Sequence, residues 1–244
     1  MQSGKMTLTA GLLFLGAACS PSKAEETHIN QACAPAPRML EVSPGANNLY
    51  DALKAKEVIM TFDDGPHRHR TQEILDILDT ECVSATFFLL GNNAKKHPEL
   101  VREIAARGHQ IGAHSWAHAN LTEMSLEDAR KDIARGAEAI EAALGEGSKV
   151  KLFRYPFIAY NDNLQKLIAN MGLGDVTVHV DGADWENIGP DQISANILTK
   201  LEERGGKGVI LLHPSFNHSN DAARQIIRTL KADGYAFLTV TPAQ

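Results

Sequence analysis

From residue 56 onward, short apolar runs alternate with longer segments whose apolar positions recur every three or four residues. The short runs predict strands over 58–62, 85–90, 110–113, 150–154, 175–180, 208–212 and 236–240. The segments between them predict helices near 71–80, 98–107, 126–144, 162–171, 190–204 and 221–233. The third helix is the clearest. Leu126, Ala129, Ile133, Ala137, Ile140 and Leu144 recur at helical spacing, and Ser125 with Asp128 three residues on makes a capping-box-like start. Residues 20 to about 55, rich in Ala, Pro, Ser and Asn, read as a linker with little regular structure. Strands separated by helices imply parallel pairing, in a barrel-like or an open sheet.

The placement of reactive side chains favours the barrel. Asp63 and Asp64 follow the first strand, His114 the third, and Arg154 ends the fourth. Asp181 and Asp184 follow the fifth, and His213 the sixth. A parallel barrel gathers its active site from the C-terminal ends of several strands. The sequence contains no internal repeat, low-complexity tract or second domain, and 244 residues suit one large domain behind a short leader.

Each of these residues sits in a suggestive local context. Adjacent carboxylates in Thr61-Phe62-Asp63-Asp64-Gly65-Pro66 repel unless a cation or an arginine compensates them, and Gly65-Pro66 forces a tight turn. Alone, the stretch reads equally as an ordinary turn. In His114-Ser115-Trp116-Ala117-His118 the histidines are four apart, on one face of a helical turn, and can grip one metal ion. With Asp64 they form a two-histidine, one-carboxylate set that leaves a position for water, which suits zinc. Ser115 lacks a Gly-x-Ser-x-Gly elbow and reads as support for that turn. Arg154, within Phe153-Arg154-Tyr155-Pro156-Phe157, can pair with Asp63 and keep it ionised. An aspartate oriented against His213 would raise its pKa and make it a usable general acid. Trp185 reads as a wall for a sugar ring or as a core tryptophan.

In this order, the segments 61–66, 114–118, 154–157, 181–185 and 211–213 resemble the five motifs of carbohydrate esterase family four. These are the polysaccharide deacetylases with the nodulation-factor deacetylase homology domain. The resemblance covers roughly residues 56–240 and implies a catalytic domain over 56–242, folded as a distorted (β/α) barrel of seven to eight parallel strands. It implies Asp63 as catalytic base, with Asp64, His114 and His118 as ligands to Zn2+, for which Co2+ or another divalent metal substitutes. It further implies that Arg154 tunes Asp63, that Asp184 orients His213 as the acid, and that the Phe157 backbone N–H helps stabilise an oxyanion. Trp185 and Leu211 would frame the acetyl pocket. Two positions depart from the family pattern: Phe157, where tyrosine is common, and Ile158, where glycine is frequent, which leaves the loop shape there open. The implied activity removes N-acetyl groups from an N-acetylglucosamine-containing polysaccharide or oligosaccharide, of chitin, peptidoglycan or exopolysaccharide type. An O-acetyl esterase of xylan type is the nearest alternative. A carbohydrate-binding pseudoenzyme is the other, disfavoured because no ligand, base or acid is missing.

Composition narrows the partners. Net charge is −6 and the pI about 5.9, with no basic patch, so nucleic acid is not an expected partner. Lys5 precedes an apolar run, Leu8 to Ala18, that is too short to span a bilayer and has the layout of a secretory signal ending at residue 24. Leu15-Gly16-Ala17-Ala18-Cys19 also resembles a lipoprotein box, with the leucine four rather than three residues before the cysteine. Read that way, the signal ends at 18 and Cys19 carries a lipid anchor. Either reading predicts an exported monomer, periplasmic or secreted. If Cys19 takes the lipid, the other two of the three cysteines, Cys33 and Cys82, are free to form a disulfide, while Cys82 reads equally as a small core residue.

Overall fold

The computed structural model describes residues 38–45, 49–186 and 188–243, together with Met1 and Cys33. The leader and Cys19 lie outside the described residues. In chain order, the first half contains β1 (Met39–Val42), α1 (Leu49–Ala52), β2 (Glu57–Asp63), α2 (Arg70–Thr80), β3 (Thr86–Leu89), α3 (Gly91–Lys96), α4 (Pro98–Ala106) and β4 (Gln110–Ala113). The second half contains α5 (Leu126–Leu144), β5 (Leu152–Phe153), α6 (Asp162–Asn170), β6 (Gly174–Asp175), β7 (Val180–Asp181), α7 (Pro190–Glu203), β8 (Gly208–Leu212), α8 (Asn217–Ala232) and β9 (Ala236–Pro242).

All the strand pairs among these elements are parallel. Seven of the strands, in the order β7-β8-β2-β3-β4-β5-β6, form a nearly closed barrel with helices outside it, the distorted form expected. The opening lies between β6 and β7. The sequence predicts one strand over 175–180, but its two ends pair with different neighbours. Phe153 of β5 registers with Asp175, whereas Ile210 of β8 registers with Val180. The segment therefore breaks into two short strands that flank the gap.

Along the strands, side chains alternate between two cores, as the pleat requires. Met60, Phe62, Phe87, Phe153, Ile210 and Leu212 point outward beneath the helices. Ile59, Phe88, Leu152 and Val209 point inward, where they meet Leu40, Val42, Leu238 and Val240. Those last four come from β1 and β9, which pair with each other, while β9 also takes the N-terminal half of β2. The C-terminal half of β2 pairs with β3 instead. The stretch read as linker thus includes a strand and a short helix that close the interior, with Leu49 and Leu53 in the same cluster. The period-two pattern of β1 was too short to register.

The α5 start is as expected, with Ser125 Oγ accepting the Asp128 N–H at 3.1 Å. Leu126 is a correction: it is exposed, and the buried stripe runs through Ala129, Ile133, Gly136, Ile140 and Ala143. Cys82 is also exposed and disulfide-bonded, so it is not a core residue, and Cys33 is likewise disulfide-bonded.

Candidate active site

The inward alternation of β2 carries Thr61 and Asp63 up from the floor residue Ile59. Arg154, one residue past β5, enters the same interior, and both it and Asp63 are buried. Arg154 Nη1 donates to Asp63 Oδ1 at 2.8 Å and to Thr61 Oγ1 at 2.7 Å, while its Nε donates to the Val176 carbonyl at 2.8 Å. Thr61 passes its own proton to the Ile210 carbonyl at 2.6 Å. Burial pulls the Arg154 pKa down, opposed by Asp63 and by Asp175. A buried pair of this kind is costly to break, because the survivor is left as an uncompensated charge. Asp63 Oδ2 remains on the cavity side, 3.7 Å from His114 Nε2.

Asp64 faces a different way because its backbone is left-handed, φ 71°, a conformation held by Asn93 Nδ2 donating to the Asp64 carbonyl at 2.8 Å. His114 Nδ1 lies 2.8 Å from the Arg154 carbonyl. A carbonyl only accepts, so Nδ1 carries the proton and the Nε2 lone pair points toward Asp64. His114 Nε2 and His118 Nε2 stand 3.6 and 3.7 Å from Asp64 Oδ1. Burial lowers the His114 pKa against the pull of Asp63 and Asp64, favouring the neutral form that ligates metals. Asp64 Oδ1 is buried without a hydrogen-bond donor among the described residues. An orphaned acceptor beside two imidazole nitrogens fits a divalent cation, and one donor atom from each of Asp64, His114 and His118 lies within 4.8 Å of the others.

The histidines do not sit on a helical turn, as their spacing suggests. Ser115 and His118 adopt left-handed backbones, φ 66° and 60°, in a turn after β4. Ser115 Oγ accepts the His118 N–H at 3.0 Å, and the Ser115 and Trp116 carbonyls accept N–H groups of Gly91 and Asn92 from α3 at 3.0 and 2.9 Å. From the other side α5 approaches so closely that a Cβ at Gly136 would stand 2.5 Å from the Ser115 carbonyl oxygen. Glycine in a helix interior costs about 1 kcal/mol relative to alanine, and this contact requires it.

His213, just past β8, meets Asp184, which is fully buried. Asp184 Oδ1 accepts the His213 Nδ1–H at 2.8 Å, and Oδ2 accepts the His213 backbone N–H at 2.6 Å. Burial opposes a charge on the ring. The Asp184 hydrogen bond and charge, together with Asp63 and Asp64, overcome it and push the His213 pKa up to about 9. Asp184 thus favours the charged imidazole, with Nε2 left to face the cavity.

That cavity has a volume of about 430 Å3. Asp63, Asp64, His114, His118 and His213 line it, as do Phe157, Trp185 and Leu211, whereas Arg154 and Asp184 stand behind its walls. Trp185 is 56% exposed, which makes it a rim residue and excludes the core reading. Tyr155, Ile158, Asp181 and Phe216 complete the lining. Phe157 and Ile158 take successive left-handed backbones, φ 58° and 54°, so Ile158 holds the conformation that a glycine would adopt without strain. Thr61 was legible in principle, two residues before Asp63 on one strand face. Phe216 carries no local signal.

The family model described as polysaccharide deacetylase matches residues 50–176. The peptidoglycan-N-acetylglucosamine deacetylase of Bacillus cereus is 36% identical over 188 residues, covering 75% of this chain and 66% of that protein. The chitooligosaccharide deacetylase of Rhizobium leguminosarum bv. trifolii is 37% identical over 158 residues, covering 65% and 71%. Among solved structures, a pseudoenzyme of carbohydrate esterase family four from Bacillus anthracis matches with a TM-score of 0.70 at 27% identity, covering 77% of this chain and 64% of that one. The chain thus spans about two thirds of the length of these relatives.

Proposed function

The chain belongs to the polysaccharide deacetylases of carbohydrate esterase family four, and from that premise we propose that it is a metal-dependent hydrolase that removes N-acetyl groups from an N-acetylglucosamine-containing glycan. The observation that carries this reading is the meeting of three groups at one cavity: a carboxylate with one oxygen free, a three-donor cation site and an imidazole held by a buried carboxylate. A divalent ion held by Asp64, His114 and His118, zinc in our reading, would supply Lewis acidity to the acetamide carbonyl and make a water more acidic.

The side chains divide the remaining work. Asp63 Oδ2 accepts a proton from the attacking water while Oδ1 stays on Arg154. The Phe157 N–H donates to the carbonyl oxygen as it gains negative charge, the kind of stabilisation that contributes most to acyl transfer. His213 delivers its Nε2 proton to the nitrogen as the C–N bond breaks, with Asp184 holding the other ring nitrogen. One water is consumed, and acetate and a free amine leave. Trp185 and Leu211 enclose the acetyl methyl.

The test is acetate release from zinc-loaded protein offered N-acetylglucosamine oligomers, peptidoglycan and acetylated xylan. Release from the first or second is expected. Release from xylan alone would make the protein an O-acetyl esterase, and release from none would make it a binding protein.

We also propose that the protein is exported, in line with its leader sequence and with disulfide-bonded cysteines, which persist in oxidising compartments. With a lipid on Cys19, the mature protein partitions with membranes and Cys19→Ser releases it. A mature N-terminus at Glu25, read by mass spectrometry, would exclude the anchor.

A further inference from the structure

We propose that Ser219, in the first turn of α8, is a positioning residue for the proton donor: its hydroxyl fixes the carboxylate that orients His213. The inference rests on the deacetylase reading and concerns a residue outside all five motifs. Ser219 is 1% exposed, and its Oγ donates to Asp184 Oδ2 at 2.5 Å. The Asp184 carboxylate therefore accepts three donors, two from His213 and one from Ser219. Of these, the ring N–H moves with the group being oriented, whereas the His213 backbone N–H and the Ser219 hydroxyl hold Oδ2 from points outside the ring. Among the described residues, Ser219 is the one side chain outside His213 that does so.

The surrounding chain is arranged around the same contact. Asp184 opens a single 3₁₀ turn, Asp184–Glu186, directly after Ala183 in a left-handed conformation, φ 55°. His218 Nε2 donates to the Asp184 backbone carbonyl at 2.7 Å, so consecutive residues of α8 grip the backbone and the side chain of one aspartate. Phe216, which lines the cavity, stacks on His218 with ring planes 9° apart. Removing the Ser219 hydroxyl frees Oδ2 from one of its two donors in a place that solvent does not reach. The carboxylate then rotates more freely about its side-chain torsion, and the His213 ring follows it.

The experiment compares zinc-loaded wild-type, Ser219→Ala, Asp184→Asn and the double variant on N-acetylglucosamine tetramer and on 4-nitrophenyl acetate. For Ser219→Ala, kcat on the tetramer should fall about tenfold, the scale of one lost hydrogen bond to a charged group, with KM unchanged. Hydrolysis of the nitrophenyl ester, whose leaving group departs without a proton, should change less than about twofold, a small fraction of what a missing general acid costs. In the double variant Ser219→Ala should add little to the loss caused by Asp184→Asn, because coupled residues are not additive. Additive losses, equal losses on both substrates, or no loss on the tetramer would overturn the proposal. Absence of acetate release by the wild type from every glycan would instead overturn the functional reading on which it rests.

Discussion

His213→Ala protein is expected to lose about 10²–10⁴ in rate on N-acetylglucosamine oligomers, the usual worth of a positioned general acid, and far less on 4-nitrophenyl acetate. An amide expels an amine that leaves poorly unless it is protonated as the bond breaks, whereas a nitrophenolate leaves unaided. Asp63→Asn should impair both substrates, since both need an activated water. The same proton sets a pH limit. Because the His213 pKa is raised, to about 9, the acid form is present through neutrality and is lost as pH rises through that value. kcat/KM should accordingly fall on the alkaline side, and a cation beside Asp63 and Asp64 would move that limb to lower pH. Asp184→Asn removes the principal support for the charged ring and should shift the limb downward as well. Equal slowing of both substrates by His213→Ala would show that the residue serves binding or structure instead.

Chelation is expected to abolish activity, and zinc or cobalt to restore it, with about one divalent ion held per chain, as for open sites with three protein ligands. The argument starts from charge. Asp63 is compensated by Arg154, but Asp64 has an oxygen that meets no donor among the described residues, and the Nε2 atoms of His114 and His118 stand 3.6 and 3.7 Å from it. Binding only to the folded state should also raise Tm, by the equivalent of about 2.7 kcal/mol at a hundredfold excess over Kd. His118→Ala removes one donor of three and should lose both the bound ion and this thermal shift. Full activity in metal-free His118→Ala protein would falsify the ligand assignment.

Much of this geometry was legible because it follows simple periods. Strand β2 alternates, so Asp63 had to share a face with Ile59, and α5 announces itself by Ser125, Asp128 and a buried stripe. The failures come from features that only tertiary contact decides. Helix α3, Gly91–Lys96, has no apolar stripe; it is held by hydrogen bonds to the ligand turn. The four-residue spacing of His114 and His118 suits a helix and a compact turn alike, and the left-handed Ser115 settles it. Residues 175–180 look like one strand because alternation does not reveal that the two ends have different neighbours. Ser219 lies six residues beyond His213, with nothing local to connect it to Asp184.

Among the described residues, six of the eight non-glycine residues with positive φ belong to the site: Asp64, Ser115, His118, Phe157, Ile158 and Ala183. Left-handed backbone costs an L-residue roughly 1–2 kcal/mol, and Ile158 is branched at Cβ, the least tolerant kind. For anyone engineering a hardier form of this protein, the molecule is therefore unevenly open to improvement. Helix surfaces that touch neither the ligand turn nor Asp184 are open to stabilising changes, whereas Gly136 of α5 and Ser219 of α8 are not. Ile158→Gly would relieve backbone strain at the rim, but it would also free the unfolded chain and the loop that carries the Phe157 N–H, so durability and turnover compete at these positions.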